Sequence, residues 1–408
     1  MFIPTRAAGL EALDEFVSRA GSAYARERNH DLGPSRQNVS GLSPYLRHRL
    51  VTEKEVVAAV LGRHRLTAAE KFVQEVFWRT YWKGWLEQNP EVWRRYRREV
   101  GDFAAGDPPP GYRDAIGGRS GIDAMDAWVR ELVETGYLHN HTRMWFASIW
   151  IFTLELPWQL GADFFYRHLL DGDAASNTLS WRWVAGLQTP GKTYLATASN
   201  IARYTEGRFS PDGLATSAPA LSEESFPPRE RIDPDDVVGT LGTRPGLLLH
   251  EEDLEAESLL AEQPGLAERL VATAAAADAG GRSPLAVSEA VEAFTVAALA
   301  DAAERAHDGS GRPARVLADP SPASVVDWAG SERLDTVVVP YAPVGPVRER
   351  LDALRSALAE EGVALVTVRR RWDGTAWPSA SRGFFAFRKR IPVLVRGLDE
   401  PSDAVRLF

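Results

Sequence analysis

Two unlike halves are expected from this chain: a helical domain over residues 1–208, a linker over 209–240, and a smaller α/β domain over 241–408. Three observations predict this multidomain α and α/β architecture. Apolar residues recur at helical spacing through the first half. Residues 209–240 are rich in Ser, Pro, Glu and Asp and have no periodicity. Beyond them, apolar runs of strand length alternate with helix-like stretches, the pattern of a parallel sheet with crossover helices. With 408 residues and 44% apolar content, the chain can fill two cores.

Composition removes several function classes. There is no cysteine, so disulfides, thiolate metal sites and iron–sulfur clusters are excluded, and a reducing, cytoplasmic setting is expected. No apolar run approaches the ~18 residues of a membrane span, and MFIPTRAAGL is followed directly by charge, so neither membrane insertion nor a signal peptide is expected. The net charge of −9 is uneven: residues 1–215 hold 26 Lys/Arg against 25 Asp/Glu, and residues 216–408 hold 21 against 31. Polyanion binding is therefore expected of the first half.

Taken in order, residues 8–27 have the pattern of an amphipathic helix with Leu10, Leu13, Phe16 and Val17 inward. Ser40-Gly41-Leu42-Ser43-Pro44 has the form of a helix start, a hydroxyl N-cap with Pro just inside. Residues 67–88 form a helix crowded with aromatics, on which Glu75, Trp78, Arg79 and Trp82 share a face. Residues 101–122 are a Gly/Pro-rich loop, and DAMDAWVREL is a helix. In the second half GLLLH, ARVLA, DTVVVP and VALVTV are the strands, and the helices lie between them. No G-x-G-x-x-G or P-loop sequence appears there, so a nucleotide site in that half has no support.

The stretch Thr135–Trp183 concentrates polar residues within apolar surroundings. Asn140, Arg143 and Met144 share one helical face, and Asp173, Asn177 and Trp181 are four apart on another. An amide, a guanidinium and carboxylates beside aromatics are unfavourable unless something satisfies them. Two explanations fit: a polar network that locks helices together, or a pocket for a large ligand with polar edges and an apolar body. His139 and His141 form an H-x-H pair, but two ligands do not make a metal site, and no metal is expected.

TGYLHNHTRM, then FFYRHLLDGDAASN, then WRW resemble, in order, the flavin-binding domain of the cryptochrome/photolyase family, and the likeness runs through roughly the first 205 residues. It implies an all-α FAD-binding, photolyase-like domain. The α/β half, with GLLLHEEDL and the G-x-F-x-x-F-like stretch after VALVTV, resembles the Rossmann-like antenna domain that stands first in the family, so an exchanged domain order is expected. The resemblance carries no motif that assigns a second, antenna chromophore.

The resemblance also implies roles. FAD would be held by Asn140, Arg143, Asp171, Asp173 and Asn177 around its ring, by Ser40, Leu42 and Ser43 at the pyrophosphate, and by Arg79 and Tyr24. Glu75, Trp78, Asn140, Met144 and Trp183 would meet the damaged pyrimidines. Trp181 and Trp158 would relay electrons. The third relay position falls near Phe103, Ala104 and Ala105, leaving Trp145 or Trp150 as substitutes. The implied activity is light-driven splitting of pyrimidine dimers in UV-damaged DNA by an electron from excited reduced flavin, a deoxyribodipyrimidine photolyase activity. Asn140 and Met144 stand where relatives acting on (6-4) lesions resemble HHxxRH, which points to cyclobutane dimers. Two departures, His141 in place of a common Arg and Thr178-Leu179-Ser180 before the relay Trp, leave a second reading open. That reading is a cryptochrome-like blue-light sensor that keeps FAD, repairs nothing and signals through a protein partner. The oligomeric state has no sequence signal.

Overall fold

The computed structural model describes residues 2–233, 237–307 and 311–397. In the first half the helices are α1 (Arg6–Val17), α2 (Ser22–Glu27), α3 (Ser43–Arg47), α4 (Glu53–Arg63), α5 (Leu66–Glu87) and α6 (Pro90–Ala105). They continue as α7 (Tyr112–Ile116), α8 (Asp123–Thr135), α9 (Asn140–Ser148), α10 (Trp158–His168), α11 (Ala174–Val184) and α12 (Ala198–Tyr204). Local chemistry sets several ends. Thr52 and Glu55 form a reciprocal capping box at α4, Asp173 caps α11 by accepting from Ser176 N, and Gly136 closes α8 in the left-handed region at φ 65°.

Three expectations for this half change: the helix expected over residues 8–27 is broken at a turn over 18–21 into α1 and α2. Leu10 was expected inward but is 38% exposed, because α1 buries Gly9, Leu13 and Phe16, with Gly9 pressed against Val51 and Tyr45. The expected loop at 101–122 is shorter, since α6 runs to Ala105 and α7 forms within it.

The second half contains β1 (Val237–Val238), β2 (Pro245–Leu249), β3 (Ala272–Ala275), β4 (Arg315–Val316), β5 (Thr336–Pro340) and β6 (Ala364–Val368) in the order β1-β6-β5-β2-β3-β4. Five strands run parallel, and β1, which lies within the expected linker, pairs antiparallel with β6. The helices are α13 (Ala256–Ala261), α14 (Pro264–Ala267), α15 (Glu289–Arg305), α16 (Pro322–Ser331), α17 (Pro346–Glu360), α18 (Arg371–Ala376), α19 (Phe384–Arg388) and α20 (Ile391–Arg396).

Strand alternation divides the apolar residues between two cores. Leu247, Leu249, Val338 and Val366 join a core continuous with the helical domain, while Leu248, Val337, Val339 and Leu365 pack with Trp328 and Leu354 on the far face. The two halves therefore share apolar interior.

The carboxyl ends of β2 and β5 meet where the strand order reverses, the place where open α/β sheets usually bind ligands. Here the helical domain fills it. The Tyr341 hydroxyl donates to Glu87 at 2.7 Å, and Val344 N donates to the same carboxylate at 2.6 Å. The acidic turn His250–Glu255 enters the helical domain, where Asp253 meets Arg49 (3.1 Å) and Arg370 (2.6 Å) and Glu252 meets Arg47 (2.7 Å), all buried. No helix among the described residues is long and apolar enough to cross a membrane.

Candidate cofactor and substrate site

α9, which carries Asn140 and Arg143, packs on α11, which carries Asn177, and α11 also packs on α5, which carries Trp78. Asn140 opens α9 and is exposed, while His139 before it and His141 after it are buried. One turn on, Arg143 forms a two-pronged fork with Asp171, Nη1 to Oδ1 at 3.0 Å and Nη2 to Oδ2 at 2.8 Å, and its Nε donates to Leu138 O. The Arg143 side chain is 24% exposed and that of Asp171 only 4%. Desolvation works against the Arg143 charge, yet the Asp171 carboxylate outweighs it and raises the guanidinium pKa.

Asn177 Nδ2 donates to Ala162 O at 2.8 Å. Because that partner is a carbonyl, the amide orientation is fixed and Oδ1 is left to accept from elsewhere. Ser176 Oγ is buried with no partner among the described residues.

Asp173 is closed in. It accepts from Ser176 N, and Arg79 (3.2 Å) and Lys83 (3.4 Å) sit on its other oxygen. Burial alone would raise its pKa, but these cations hold it far below the usual carboxylate range. Arg79 also lies 3.4 Å from Glu53, and Lys83 lies 3.6 Å from Glu252 of the acidic turn. Arg79 is thus committed within the protein.

On α5, Glu75 is paired with Arg28, and desolvation nevertheless raises its pKa. Tyr24 sits edge-on to Phe16 and Phe72, and burial raises its hydroxyl pKa as well. Trp78 is half-buried, and one face of its ring is covered by Phe384, stacked at 3.6 Å and 11°. Trp183 stacks on Tyr194 at 5.9 Å, and Met144 is half-buried. At the expected helix start Leu42 is the cap without a side-chain bond, Ser40 Oγ accepts from Leu42 N, and Ser40 and Ser43 remain half-open.

Trp181 is buried edge-on to Trp150 (6.2 Å), and the ring stacked on Trp158 is Tyr96 at 5.7 Å. Trp145 instead stacks on Trp128 and His141, and Phe103 is half-buried. A groove of about 1320 Å³ opens beside Trp158 between α6 and residues 215–224, away from the polar cluster.

Residues 72–213 match the family model of the FAD binding domain of DNA photolyase. That stretch of the chain is thus similar to the flavin-binding domain of the photolyase/cryptochrome family. A deoxyribodipyrimidine photo-lyase of Agrobacterium fabrum is 30% identical over 190 residues, covering 46% of this chain and 39% of the relative. That of Thermus thermophilus is 29% identical over 232 residues, covering 56% and 53%. The chain thus spans well under two thirds of the length of these relatives. Among solved structures, a bacterial class III photolyase from Agrobacterium tumefaciens has 27% identity and a TM-score of 0.43, with coverage of 50% of this chain and 43% of that one.

The polar atoms present fit the photolyase-family cofactor, FAD. Asn177 Oδ1 and the orphaned Ser176 Oγ are unclaimed, and Arg143 keeps its charge through Asp171. Four participants escape a motif-based reading of the sequence: Arg28 on Glu75, Lys83 on Asp173, Phe384 on Trp78 and Tyr96 on Trp158. Lys83 alone had a local signal, lying one turn beyond Arg79 on the same helix.

Proposed function

We propose that this chain is an FAD-dependent flavoprotein that uses blue light to split cyclobutane pyrimidine dimers in DNA, a deoxyribodipyrimidine photolyase activity. One observation carries the reading: the Arg143 guanidinium, forked onto a buried Asp171, and the Asn177 amide are both partly exposed, inside the stretch that matches the FAD-binding family. Bound FAD, reduced and excited by light, would supply the single electron that reopens the dimer.

The chain's own residues bind and orient. Arg143, held charged by Asp171, would hold the polar edge of the flavin. Asn177 Oδ1 would accept from a protonated ring nitrogen. Ser40 and Ser43 would contact the pyrophosphate. Arg79, Lys83 and Asp173 would form the charged wall that keeps α11 in register with α5. Photolyases turn the lesion out of the duplex. Here Glu75, Asn140, Met144 and Trp183, all partly exposed, would border it, with Trp78 backed by Phe384. Neither Asn140 nor Met144 can relay a proton, which suits a dimer whose splitting needs none.

The test is the visible spectrum of the purified protein, followed by illumination with dimer-bearing oligonucleotide. A yellow or blue protein that removes dimers only in light is expected. A folded preparation that is colourless and takes up no FAD would end the proposal.

One observation favours the second reading, a photosensor without repair. His141 is buried against Trp145 at 4.3 Å, with its nitrogens facing Asn29 O and Tyr194, and it is kept neutral by desolvation. It therefore offers no cation to a lesion. Flavin-loaded protein with no preference for UV-damaged over intact DNA at low salt would establish that reading.

A further inference from the structure

The α/β half is acidic, with 21 Lys/Arg against 31 Asp/Glu over residues 216–408. Its last described segment reverses that sign. Residues 381–397, SRGFFAFRKRIPVLVRG, contain Arg382, Arg388, Lys389, Arg390 and Arg396 and no Asp or Glu. Arg382, Lys389, Arg390 and Arg396 are exposed and Arg388 is half-buried, and among the described residues none forms an ion pair. Three of the domain's buried or half-buried arginines contrast with this: Arg348, Arg350 and Arg370 are spent on Glu87, Glu251 and Asp253.

The segment is also fixed in place. Phe384 and Phe387 turn inward onto α5, Phe384 lying flat on Trp78 at 3.6 Å, and the Tyr81 hydroxyl donates to Arg382 O at 2.9 Å. Between them Phe385 points outward, 75% exposed, with the Arg388 guanidinium 5.6 Å from its ring. An exposed aromatic interleaved with unpaired cations is the pattern of surfaces that follow a nucleic-acid backbone and stack on its bases. It stands beside Trp78, one turn from Glu75, where the proposed lesion would enter.

We propose that Arg382–Arg396 is a second DNA-contacting element, supplied by the α/β domain, with Arg388, Lys389 and Arg390 on phosphates and Phe385 stacking on a base next to the lesion. The inference rests on the DNA-repair reading above. The acidic half then does not repel the duplex, because the part of it that reaches α5 carries the opposite charge. Counterion release makes the contribution of these cations salt-dependent.

The test is fluorescence anisotropy of full-length protein with a labelled duplex, intact or bearing one thymine dimer, over a salt series. The triple variant Arg388→Gln/Lys389→Gln/Arg390→Gln should weaken binding to both duplexes by about tenfold or more at ~0.1 M salt and reduce the slope of log K against log salt by about 2–3. Phe385→Ala should weaken binding to dimer DNA by roughly tenfold at unchanged salt slope. Phe385, Lys389 and Arg390 are exposed and Arg388 is half-buried with no ion pair among the described residues, so the melt and the flavin spectrum should match the parent and exclude misfolding. If the parent binds DNA and the triple variant binds identically with the same slope, this inference fails and the repair reading stands. If the parent binds neither duplex even at ~20 mM salt, both fail. Sedimentation with vesicles of phosphatidylcholine and phosphatidylserine, lost in the triple variant while DNA binding is kept, would overturn it in favour of a membrane surface.

Discussion

Arg143 and Asp171 carry opposite charges where neither would be stable alone, since the Asp171 carboxylate is almost wholly buried. Removing one partner of such a pair leaves the other charge unpaired in a poorly solvated place. Arg143→Ala should lower unfolding stability by about 3 kcal/mol, the low end for buried pairs because Arg143 keeps contact with water. Arg143→Ala/Asp171→Ala should recover part of that loss in a urea-melt double-mutant cycle. Losses that simply add would show that the fork does not couple α9 to the turn before α11. Asn177 carries a different burden. Asn177→Asp replaces the donor facing Ala162 O with a carboxylate, and acceptor then faces acceptor. A loss of about 1–3 kcal/mol is expected, with weaker FAD retention on gel filtration. Stability and retention equal to the parent would count against the amide orientation described above.

At the scale of elements, α5 joins the two halves. Gly84 lies in the last turn of α5, where alanine would ordinarily gain up to about 1 kcal/mol in helix propensity. Yet a β-carbon there would stand 2.8 Å from Trp377 Cα, a backbone atom that cannot rotate away. Gly84→Ala should therefore destabilise the protein by about 1–3 kcal/mol despite the better helix former. Its thermal melt should broaden or split as the α/β half loosens, and a sharper, higher melt would contradict this. The same contrast decides what the sequence could reveal. α5, β2, β5 and β6 were legible because their apolar residues follow one period over a whole element. β3 was not, since Ala272–Ala275 has helix-forming composition and becomes a strand only because β2 and β4 flank it. The ring contacts of α5 were also hidden, because Phe384 and Trp377 reach it from the far end of the chain. In the site, Arg143, Asp171 and Asn177 were legible as one motif, whereas Arg28 and Lys83 have roles visible only once the helices are packed.

At the scale of the whole molecule, histidines set the response to acid. His48 and His250 lie fully buried at the domain boundary, bonded to the carbonyls of Glu251 and Pro340. Desolvation lowers both pKa values, reinforced at His48 by Arg47 and Arg282 and opposed at His250 by Glu251 and Asp253. His139 is pushed down to about 4, and His141 and His168 are lowered too, again mainly by desolvation. In the unfolded chain each would titrate near pH ~6.5. Below that the unfolded state binds more protons than the folded one, so the stability these groups contribute is complete above about pH 7 and is lost as pH falls. Glu75, Glu131 and Asp163, whose pKa values burial raises, act in the opposite sense, favouring the fold at low pH. Asp173, Asp253 and Glu251, held down by cations, lose their contribution only below about pH 4. Between pH 7 and 5 the histidines therefore dominate. His48 and His250 can account for up to about 2 kcal/mol each by pH 5, the limit set by the unfolded pKa. Because both sit where the acidic turn enters the helical half, the loss should loosen the domain boundary first. Urea midpoints should fall steadily from pH 7.5 to 5, and His48→Gln, which keeps a donor for Glu251 O, should flatten that fall. A midpoint independent of pH across this range would mean that these rings are not held neutral by the fold.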